Sequence, residues 1–402
     1  MAIASTSFIA APGAYGTTLG AKLDKIDISQ VLSAVLKADR ALLGHIKMGE
    51  TAKNVEFHWL EDELNAVIFE GGSSVSGSVA VVGLDTSASL AYIARDGALI
   101  GVHDSTESGV MNFVLRVTGR AGASTLLTAS YGSTTYTTVS TTCNWMVISQ
   151  PYEDILDASS DISKLRTKRW NFTQIFERAI EITQTRKGMD MEAVTNELQL
   201  QIKRRTMEIK RELDLSVING IPYGTTSAGV IEARTMMGII NGIRNPSHDM
   251  GREDTLVTDN NGAALTVAQI NTMFYNVWDA GGLDDTADPI IVVGAAMQRA
   301  FASFEKDIRR VEQGERQVGY YRDIFLSDMG VEAPIVLDRW MPADKIILLD
   351  RSRIALRPLQ GDGWHMEKMA KTGRNEKWQL SGQYGLELRN AAQCHAMIIA
   401  AT

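Results

Sequence analysis

The most regular pattern of apolar and polar positions runs from Met191 to Asn219. Apolar residues recur there at steps of three and four, which is the spacing of one face of an α-helix. They are Met191, Val194, Leu198, Ile202, Ile209, Leu213 and Val217. Asp190 is placed to cap the start of this helix, and Gly220 is placed to end it. At ~1.5 Å per residue the helix is roughly 40 Å long, which favours a strut in a large assembly over the wall of a catalytic pocket.

The segments around this helix alternate between strand and helix patterns. The run NFTQIFERAIEITQT (Asn171–Thr185) leads into the helix and is typical of an extended strand. Downstream, Thr266 and Gln269 form a capping box at the start of a second helix, which Gly281-Gly282 ends. PIIVVG (Pro289–Gly294) predicts a buried strand. The pattern therefore predicts a mixed α and β fold.

Two regions differ in composition from the rest of the chain. Residues 1–26 are small and polar and predict a flexible arm, and residues 28–43 carry a short helical pattern. No lysine occurs between Lys53 and Lys164, where Gly, Ser and Thr are dense and short β-type runs such as SVAVVGL recur. This composition predicts a small all-β module inserted at about residues 72–150.

Composition and charge narrow the function classes. The 402 residues are 45% hydrophobic and 22% charged, as in an ordinary folded protein of two or three domains. The net charge of −8 does not favour a nucleic-acid binder, although a local basic patch would still allow contact with DNA. No apolar run reaches the ~18–20 residues of a membrane span, and the N-terminus lacks the basic start of a signal peptide. Cys143 and Cys394 share no motif, so we expect synthesis in a reducing cytosol without a disulfide framework.

No catalytic, cofactor or metal site is predicted. None of the six histidines forms an HExxH motif or pairs with a cysteine at metal-ligand spacing. The phosphate-binding GxxxxGK[ST] loop, the GxSxG elbow and the complete GxGxxG fingerprint are all missing from the sequence. We therefore predict that the protein is not an enzyme and needs no cofactor.

Basic residues cluster on the long helix, among them Lys203, Arg204 and Arg211. They are suited to contact with phosphate groups. The alternative is an ordinary solvated face with acidic neighbours, including the pairs Arg204–Glu208 and Lys210–Asp214 at helical spacing. The residues alone favour the second interpretation.

Three stretches together resemble the major capsid proteins of tailed bacteriophages. They are RWNFTQIFERAIEITQT followed by the long helix, ARTMMGIINGIRN followed by WDAGG and PIIVVGAAMQRAFASF, and EKMAKTGRNEKWQLSGQYGLELRNAAQCHAMI. FHWLEDEL also looks like the N-terminal region of that family. The order and spacing of these segments carry the resemblance, which covers most of the chain outside the arm and the β insertion.

The resemblance implies the α+β Johnson fold of the Hong Kong 97 type. It assigns residues 1–60 to an N-terminal arm, 61–185 to an extended-loop region with the β module, and 186–222 to the spine helix of a peripheral domain. Residues 223–343 would form an axial domain, and 344–402 would hold C-terminal strands that return to the other domains.

The function implied is the head shell of a double-stranded-DNA phage, icosahedral or prolate, built from hexamers and pentamers of the chain. Portal and scaffold or decoration proteins, and packaged DNA bound non-specifically, are the expected partners. No membrane partner is expected. The expected location is the virion, after assembly in the host cytoplasm.

Two sets of residues are candidates for assembly contacts. The aromatic residues Phe57, Trp59, Trp170 and Phe172 in the flanks of the loop are expected to be exposed and to anchor neighbouring subunits. Their alternative is packing inside their own subunit. Lys203, Arg204 and Arg211 would form an interior basic face only if that side of the helix points inward.

Other functions stay open at this point. An encapsulin-like compartment shares the fold, and a tail-tube subunit is another structural possibility. A metal- or nucleotide-dependent enzyme is disfavoured because its motifs are missing.

Overall fold

The computed structural model of the chain describes residues 42–62, 67–70, 79–83, 96–102, 114–120, 125–131, 144–151, 166–188, 197–224, 233–245, 256–304, 309–313, 321–371 and 373–401. The chain divides into two compact units, which we name the main unit (Met1–Trp59 and Arg169–Thr402) and the inserted unit (Leu60–Lys168). The predicted arm and the helical pattern of residues 28–43 lie outside the described residues, apart from a 3-10 turn at Leu42–Gly44.

Strands and helices are mixed along the chain, as the sequence predicts. The strands are β1 (Lys47–Met48), β2 (Glu56–Glu61), β3 (Ile68–Glu70), β4 (Val79–Gly83), β5 (Leu99–Val102), β6 (Val114–Arg120), β7 (Thr125–Ser130), β8 (Asn144–Ser149), β9 (Thr167–Phe172), β10 (Gln174–Thr183), β11 (Val257–Ala264), β12 (Pro289–Val293), β13 (Arg309–Gln313), β14 (Tyr321–Leu326), β15 (Glu332–Leu337), β16 (Lys345–Asp350), β17 (Ile354–Pro358), β18 (His365–Lys368), β19 (Asn375–Leu388) and β20 (Ala396–Ala401). The helices are α1 (Gln184–Gly188), α2 (Glu197–Asn219), α3 (Ile239–Arg244), α4 (Val267–Asp279), α5 (Ala295–Ala302) and α6 (Ala391–Cys394).

A five-stranded sheet carries the long helix. Its order is β1-β17-β19-β10, with β18 also paired to β19. The antiparallel pair β10–β19 runs from Gln174 opposite Tyr384 to Thr183 opposite Asn375. Helix α2 buries Ile209, Leu213 and Val217 in the core that it shares with this sheet. These residues are four apart and therefore lie on one face of the helix.

The bounds of α2 test part of the sequence prediction. The helix ends at Asn219, so the predicted stop at Gly220 is confirmed. The described part of the helix begins at Glu197. The predicted cap at Asp190 and the first predicted turns, residues 191–196, lie outside the described residues.

A seven-stranded sheet forms the second layer of the main unit, in the order β11-β20-β16-β12-β15-β14-β13. Its central strand β12 is almost wholly buried, as the apolar run PIIVV predicts. Helix α4 covers the sheet and begins with the predicted capping box, in which Thr266 accepts from the Gln269 N–H and Gln269 accepts from the Thr266 N–H. Gly281 follows the helix with a φ of 90°, a conformation that suits glycine and ends the helix.

The inserted unit contains an antiparallel six-stranded sheet in the order β3-β8-β5-β6-β7-β4. Along β6, the buried residues Leu115 and Val117 alternate with the exposed residues Arg116 and Thr118. This period of two is the ordinary pattern of a strand with one covered face. The chain enters and leaves the inserted unit through β2 and β9, which pair with each other.

Candidate assembly surfaces and internal clamp

The polar residues of the NFTQIF segment are buried connectors between distant parts of the main unit. Asn171 is fully buried, and its Nδ2 donates to the carbonyls of Met237 at 3.2 Å and Leu386 at 2.6 Å. Its Oδ1 accepts from the N–H of Met237 at 2.8 Å and of Phe172 at 2.8 Å. One amide therefore uses both of its donors and both acceptor positions, which is what burial of such a group requires.

Thr173 and Gln174 extend this connection. The Thr173 hydroxyl donates to the Val55 carbonyl at 3.1 Å and accepts from Gln383 Nε2 at 2.6 Å. Gln174 Oε1 accepts from the Met236 N–H at 3.2 Å. We name Asn171, Thr173 and Gln174, with the Met236–Met237 backbone that they hold, the clamp. The clamp joins β9, β10 and β19 to the segment that follows the long helix.

A close backbone approach lies beside the clamp, at the end of α2. A Cβ on Gly220 would lie 2.4 Å from the Ser216 carbonyl oxygen and 2.5 Å from that of Met236. A Cβ on Gly238 would lie 2.5 Å from the Gly220 nitrogen. Contacts this short exclude any side chain, so the two glycines let the backbones of α2 and α3 meet. The Gly238 N–H donates to the Gly220 carbonyl at 2.9 Å.

The aromatic residues expected to be exposed are mostly buried in their own subunit. The side chains of Phe57, Trp59 and Phe172 are at most 8% exposed, and Trp170 is half-buried. The expectation of exposure is therefore wrong for three of the four. The reason is visible in β2, where the pattern EFHWLE alternates and directs Phe57, Trp59 and Glu61 to the covered side.

Phe57 is additionally fixed by its neighbours. Its ring lies 5.4 Å from the Arg357 guanidinium carbon, and a Cβ on Gly385 would come within 2.4 Å of its Cε1 atom. Arg357 in turn pairs with the buried carboxylate of Glu387 at 2.8 Å. These contacts give Phe57 a structural role inside the subunit, and any intersubunit role for the four aromatic residues stays a prediction.

The basic residues of α2 have different surroundings. Arg211 stacks near the Trp340 ring, with 5.9 Å between the guanidinium carbon and the ring centre. Lys203 is exposed and Arg204 is half-buried, and neither forms an ion pair with another described residue.

The predicted helical pairs on α2 are wrong. Glu208 pairs with Arg205 at 2.6 Å instead of with Arg204. Asp214, the predicted partner of Lys210, is fully buried and therefore not part of a solvated face. The sheet also supplies partners to the helix, since Arg178 pairs with Glu212 at 2.6 Å and lies 3.8 Å from Glu208.

Other apolar side chains are exposed, and sequence reasoning did not select them. Tyr275 and Trp278 lie on the outer side of α4, 52% and 54% exposed, with 6.4 Å between their ring centres. Ile221 and Tyr223 follow the end of α2 and are 69% and 62% exposed. Exposed apolar groups that lie together, as Tyr275 and Trp278 do, are a feature of surfaces that meet another protein. The sequence pattern can indicate that such residues point away from the core, but it does not indicate what they contact.

The described residues were compared with the requirements of a metal site and of a catalytic pocket. Within them, no group of three or more His, Cys, Asp or Glu side chains is arranged to hold a metal ion. An open cavity of about 370 Å³ is lined by Thr183, Thr185, Gly373, Arg374 and Asn375. It pairs no nucleophile with a base. None of the described helices is long and apolar enough to cross a membrane.

His395 is the ionisable group whose pKa changes most among the described residues. Its side chain is fully buried, and its Nδ1 accepts from the Asp350 N–H at 3.2 Å. Burial lowers the pKa of His395 to about 4, an effect that the nearby Asp350 carboxylate opposes. The histidine is therefore neutral at pH 7 and acts as a buried hydrogen-bond acceptor.

Comparison with known proteins gives a family match along almost the whole chain. The model of the SU10 major capsid protein family matches residues 11–402. The major capsid protein of Escherichia phage Phieco32 is 23% identical over 264 residues, which are 55% of this chain and 72% of that protein. The family resemblance predicted from the sequence is thereby confirmed.

A solved capsid structure agrees on the fold. The capsid asymmetric unit of cyanophage A-1(L) matches with a TM-score of 0.51 at 12% identity, over 95% of this chain and 98% of that one. A likeness at this identity shows the fold alone, and it confirms the predicted Hong Kong 97-type fold. An encapsulin complex from Synechococcus elongatus PCC 7942 matches with a TM-score of 0.41 at 13% identity, over 58% of this chain and 75% of that one.

Proposed function

The chain belongs to the SU10 major capsid protein family, and we propose that it builds a tailed-phage head by assembling into hexamers and pentamers around double-stranded DNA. The observation that carries the proposal is the family match over residues 11–402. It favours a phage capsid over an encapsulin-like compartment or a tail tube. We also propose that the subunit has no catalytic role of its own.

Exposed apolar surface in the main unit supports self-assembly. Tyr275, Trp278, Ile221 and Tyr223 are each more than half exposed, and burial against a neighbour would remove their apolar area from water. Rings form when such contacts are heterologous, with one surface of a subunit meeting a different surface of the next. We therefore propose these four residues as intersubunit contacts, in addition to Trp170, the one aromatic residue of the loop flanks that is half-buried.

Electron microscopy of the purified full-length chain tests this proposal. We expect the unmodified chain to form closed shells. The double variant Tyr275→Ser with Trp278→Ser should still fold but form fewer shells. The matched control is Thr272→Ser, which changes an exposed residue of the same helix with little loss of apolar surface. Small monodisperse oligomers or open tubes from the unmodified chain would contradict a shell function.

The basic face of α2 is proposed to meet packaged DNA through Lys203 and Arg204. Arg211 contributes less because it is engaged with Trp340. Exchange of Lys203 and Arg204 for Gln should make the salt dependence of DNA binding shallower by about 2 in the logarithmic slope, because each phosphate contact contributes ~0.9. The control exchanges Lys371 and Arg374, two other exposed cations, for Gln. An unchanged slope in the first variant places this face away from DNA.

The inserted unit is proposed to take an exposed or bridging position in the shell. Residues 60–168 contain twelve Asp and Glu against six Lys and Arg, a balance that opposes contact with DNA. Removal of the predicted module, residues 72–150, tests a bridging role by comparing the stability of the resulting particles. Shells as stable as those of the full chain would argue against bridging.

Portal and scaffold or decoration proteins remain proposed partners, and the virion is the proposed location.

A further inference from the structure

Two connections between the sheets of the main unit lie side by side. One leads from β16 through a 3-10 turn (Arg351–Arg353) into β17, and the other leads from β19 through α6 into β20. The Arg389 N–H donates to the Arg353 carbonyl at 3.0 Å, and Ile354 lies opposite Leu388. A change in the angle between the seven-stranded and five-stranded sheets has to act on these connections and on the buried core that both sheets share, to which Leu349 and Leu388 belong.

One guanidinium group holds three segments at this place. Arg353 donates from Nε to Asp350 Oδ2 at 3.2 Å, from Nη1 to Asn390 Oδ1 at 3.2 Å, and from Nη2 to Asp284 Oδ2 at 2.6 Å. We name Asp284, Asp350, Arg353 and Asn390 the joint. The joint ties the end of β16 to the turn after α4 and to the residue that starts α6.

The two ion pairs of the joint differ in their exposure to solvent. The Asp350 side chain is 2% exposed, and its Oδ1 also accepts from the N–H groups of Asp288 at 3.0 Å and Ser352 at 2.9 Å. The Asp284 side chain is 43% exposed. Salt screens an exposed pair much more than a buried one. The pair of Arg353 with Asp284 is therefore the one that opens first.

Opening of this pair leaves no buried charge without a partner. Asp284 Oδ1 accepts from the Thr286 N–H at 3.1 Å and from the Thr286 hydroxyl at 2.8 Å. The hydroxyl bond is the main cause of the lowered pKa of Asp284, to which Arg353 adds. The released carboxylate thus stays ionised and hydrogen-bonded, and the freed guanidinium nitrogen turns toward water.

The backbone beside the joint is held in a disfavoured conformation. Leu283, immediately before Asp284, has a φ of 54°, and Asn390 has a φ of 50°. This left-handed conformation is unfavourable for a bulky residue such as leucine and persists where the surroundings impose it. Strain therefore lies next to the contact that solvent reaches most easily.

We propose that the joint is a release point at which the Asp284–Arg353 contact opens and lets the two sheets change their relative orientation while each sheet stays folded. Asp350 and Asn390 keep Arg353 attached during the movement. The joint lies within a single subunit, so this proposal does not depend on the proposed shell.

A distance measurement across the two sheets tests the release point. Spin labels are attached to cysteines introduced at Leu337 in β15 and Met366 in β18, which are 50% and 42% exposed, in the full-length chain with Cys143→Ser. Asp284→Asn should broaden or shift the distance distribution. Asp285→Asn is the matched control, because Asp285 is exposed, adjacent in sequence and forms no ion pair with a described residue. Raising NaCl to about 1 M should move the parent toward the Asp284→Asn distribution and leave that variant unchanged.

Two results would overturn the proposal. The first is a distribution in Asp284→Asn that equals those of the parent and of Asp285→Asn. The second is a broadening that comes with faster amide hydrogen exchange in β12, β16, β17 or β19, because local unfolding of a sheet then replaces reorientation.

Discussion

The clamp and the joint both connect segments that are far apart in sequence, yet their chemistry differs. The clamp consists of neutral groups, and fully buried Asn171 uses both donors and both acceptor positions. The joint is built from three charged groups and the neutral amide of Asn390, and one of the charged groups, Asp284, is 43% exposed. A buried neutral network responds little to salt, whereas an exposed ion pair responds strongly. The clamp is thus held by buried neutral hydrogen bonds, and the joint contains an ion pair that responds to salt.

Breaking the clamp should give the largest effect. Asn171→Ala leaves up to four buried backbone groups without partners, and at ~1–3 kcal/mol each with partial relaxation we expect a loss of about 4 kcal/mol. Urea unfolding of the purified chain measures the change. The control is Asn54→Ala, since among the described residues exposed Asn54 accepts only from the Val55 N–H, and its cost should stay under ~1 kcal/mol. An equal loss of unfolding free energy in the two variants would show that the hydrogen bonds of Asn171 do not stabilise the fold more than an exposed contact does.

Acid should weaken the region beside the joint through His395. The pKa of this histidine is about 4 in the folded chain, against an ordinary value of 6.5. Between pH 6.5 and 4 the unfolded chain therefore binds a proton at His395, whereas the folded chain does not. This contribution to stability is complete above pH 6.5 and is lost as the pH falls toward 4. The loss amounts to about 3 kcal/mol, at 1.36 kcal/mol per pKa unit. Urea unfolding between pH 7 and 4 should show a flatter pH dependence for His395→Gln, and parallel curves would contradict the assignment.

A smaller change tests one contact of the clamp. Thr173→Val keeps the shape of the side chain but removes the hydroxyl that Gln383 and Val55 use. We expect a loss of about 2 kcal/mol, because a buried amide donor loses its acceptor. Thr272→Val is the control, since within the described part of the chain that exposed hydroxyl donates only to the Ala268 carbonyl of its own helix. The free energies of unfolding from urea titrations should separate the two variants.

Opening the exposed pair of the joint should cost the least. Asp284→Asn is expected to lower the free energy of unfolding by about 0.5 kcal/mol at low salt and by less at about 1 M salt, because exposed ion pairs contribute little. Urea unfolding at both salt concentrations measures it. A loss as large as that of Asn171→Ala would show that the joint is as rigid as the clamp.

Local features of this fold could be predicted from the sequence. The end of α2 at Asn219 and the capping box at Thr266 and Gln269 depend on residues within one or two turns. The alternation of EFHWLE also indicates that Phe57 and Trp59 lie on one covered face of β2. The expectation that they are exposed did not take this alternation into account.

Long-range partners could not be predicted. Asn171 binds Met237, 66 residues away, and Arg353 binds Asp284, 69 residues away. A polar residue in an apolar strand indicates that a partner is needed, but a single sequence does not say which backbone group supplies it. The same limit explains why Glu208 pairs with Arg205 and with Arg178 of β10 instead of with Arg204.

The pairing of β2 with β9 has a consequence for how freely the chain between them can vary. Because these two strands are hydrogen-bonded neighbours, the chain leaves for the inserted unit and returns from it at adjacent positions, whatever length of chain lies between. The entropy of closing a longer loop grows only slowly with its length, and compact domains tolerate insertions where their ends lie together. The site between Glu61 and Thr167 is thus suited to exchange, and a foreign domain with adjacent termini could take the place of the natural one.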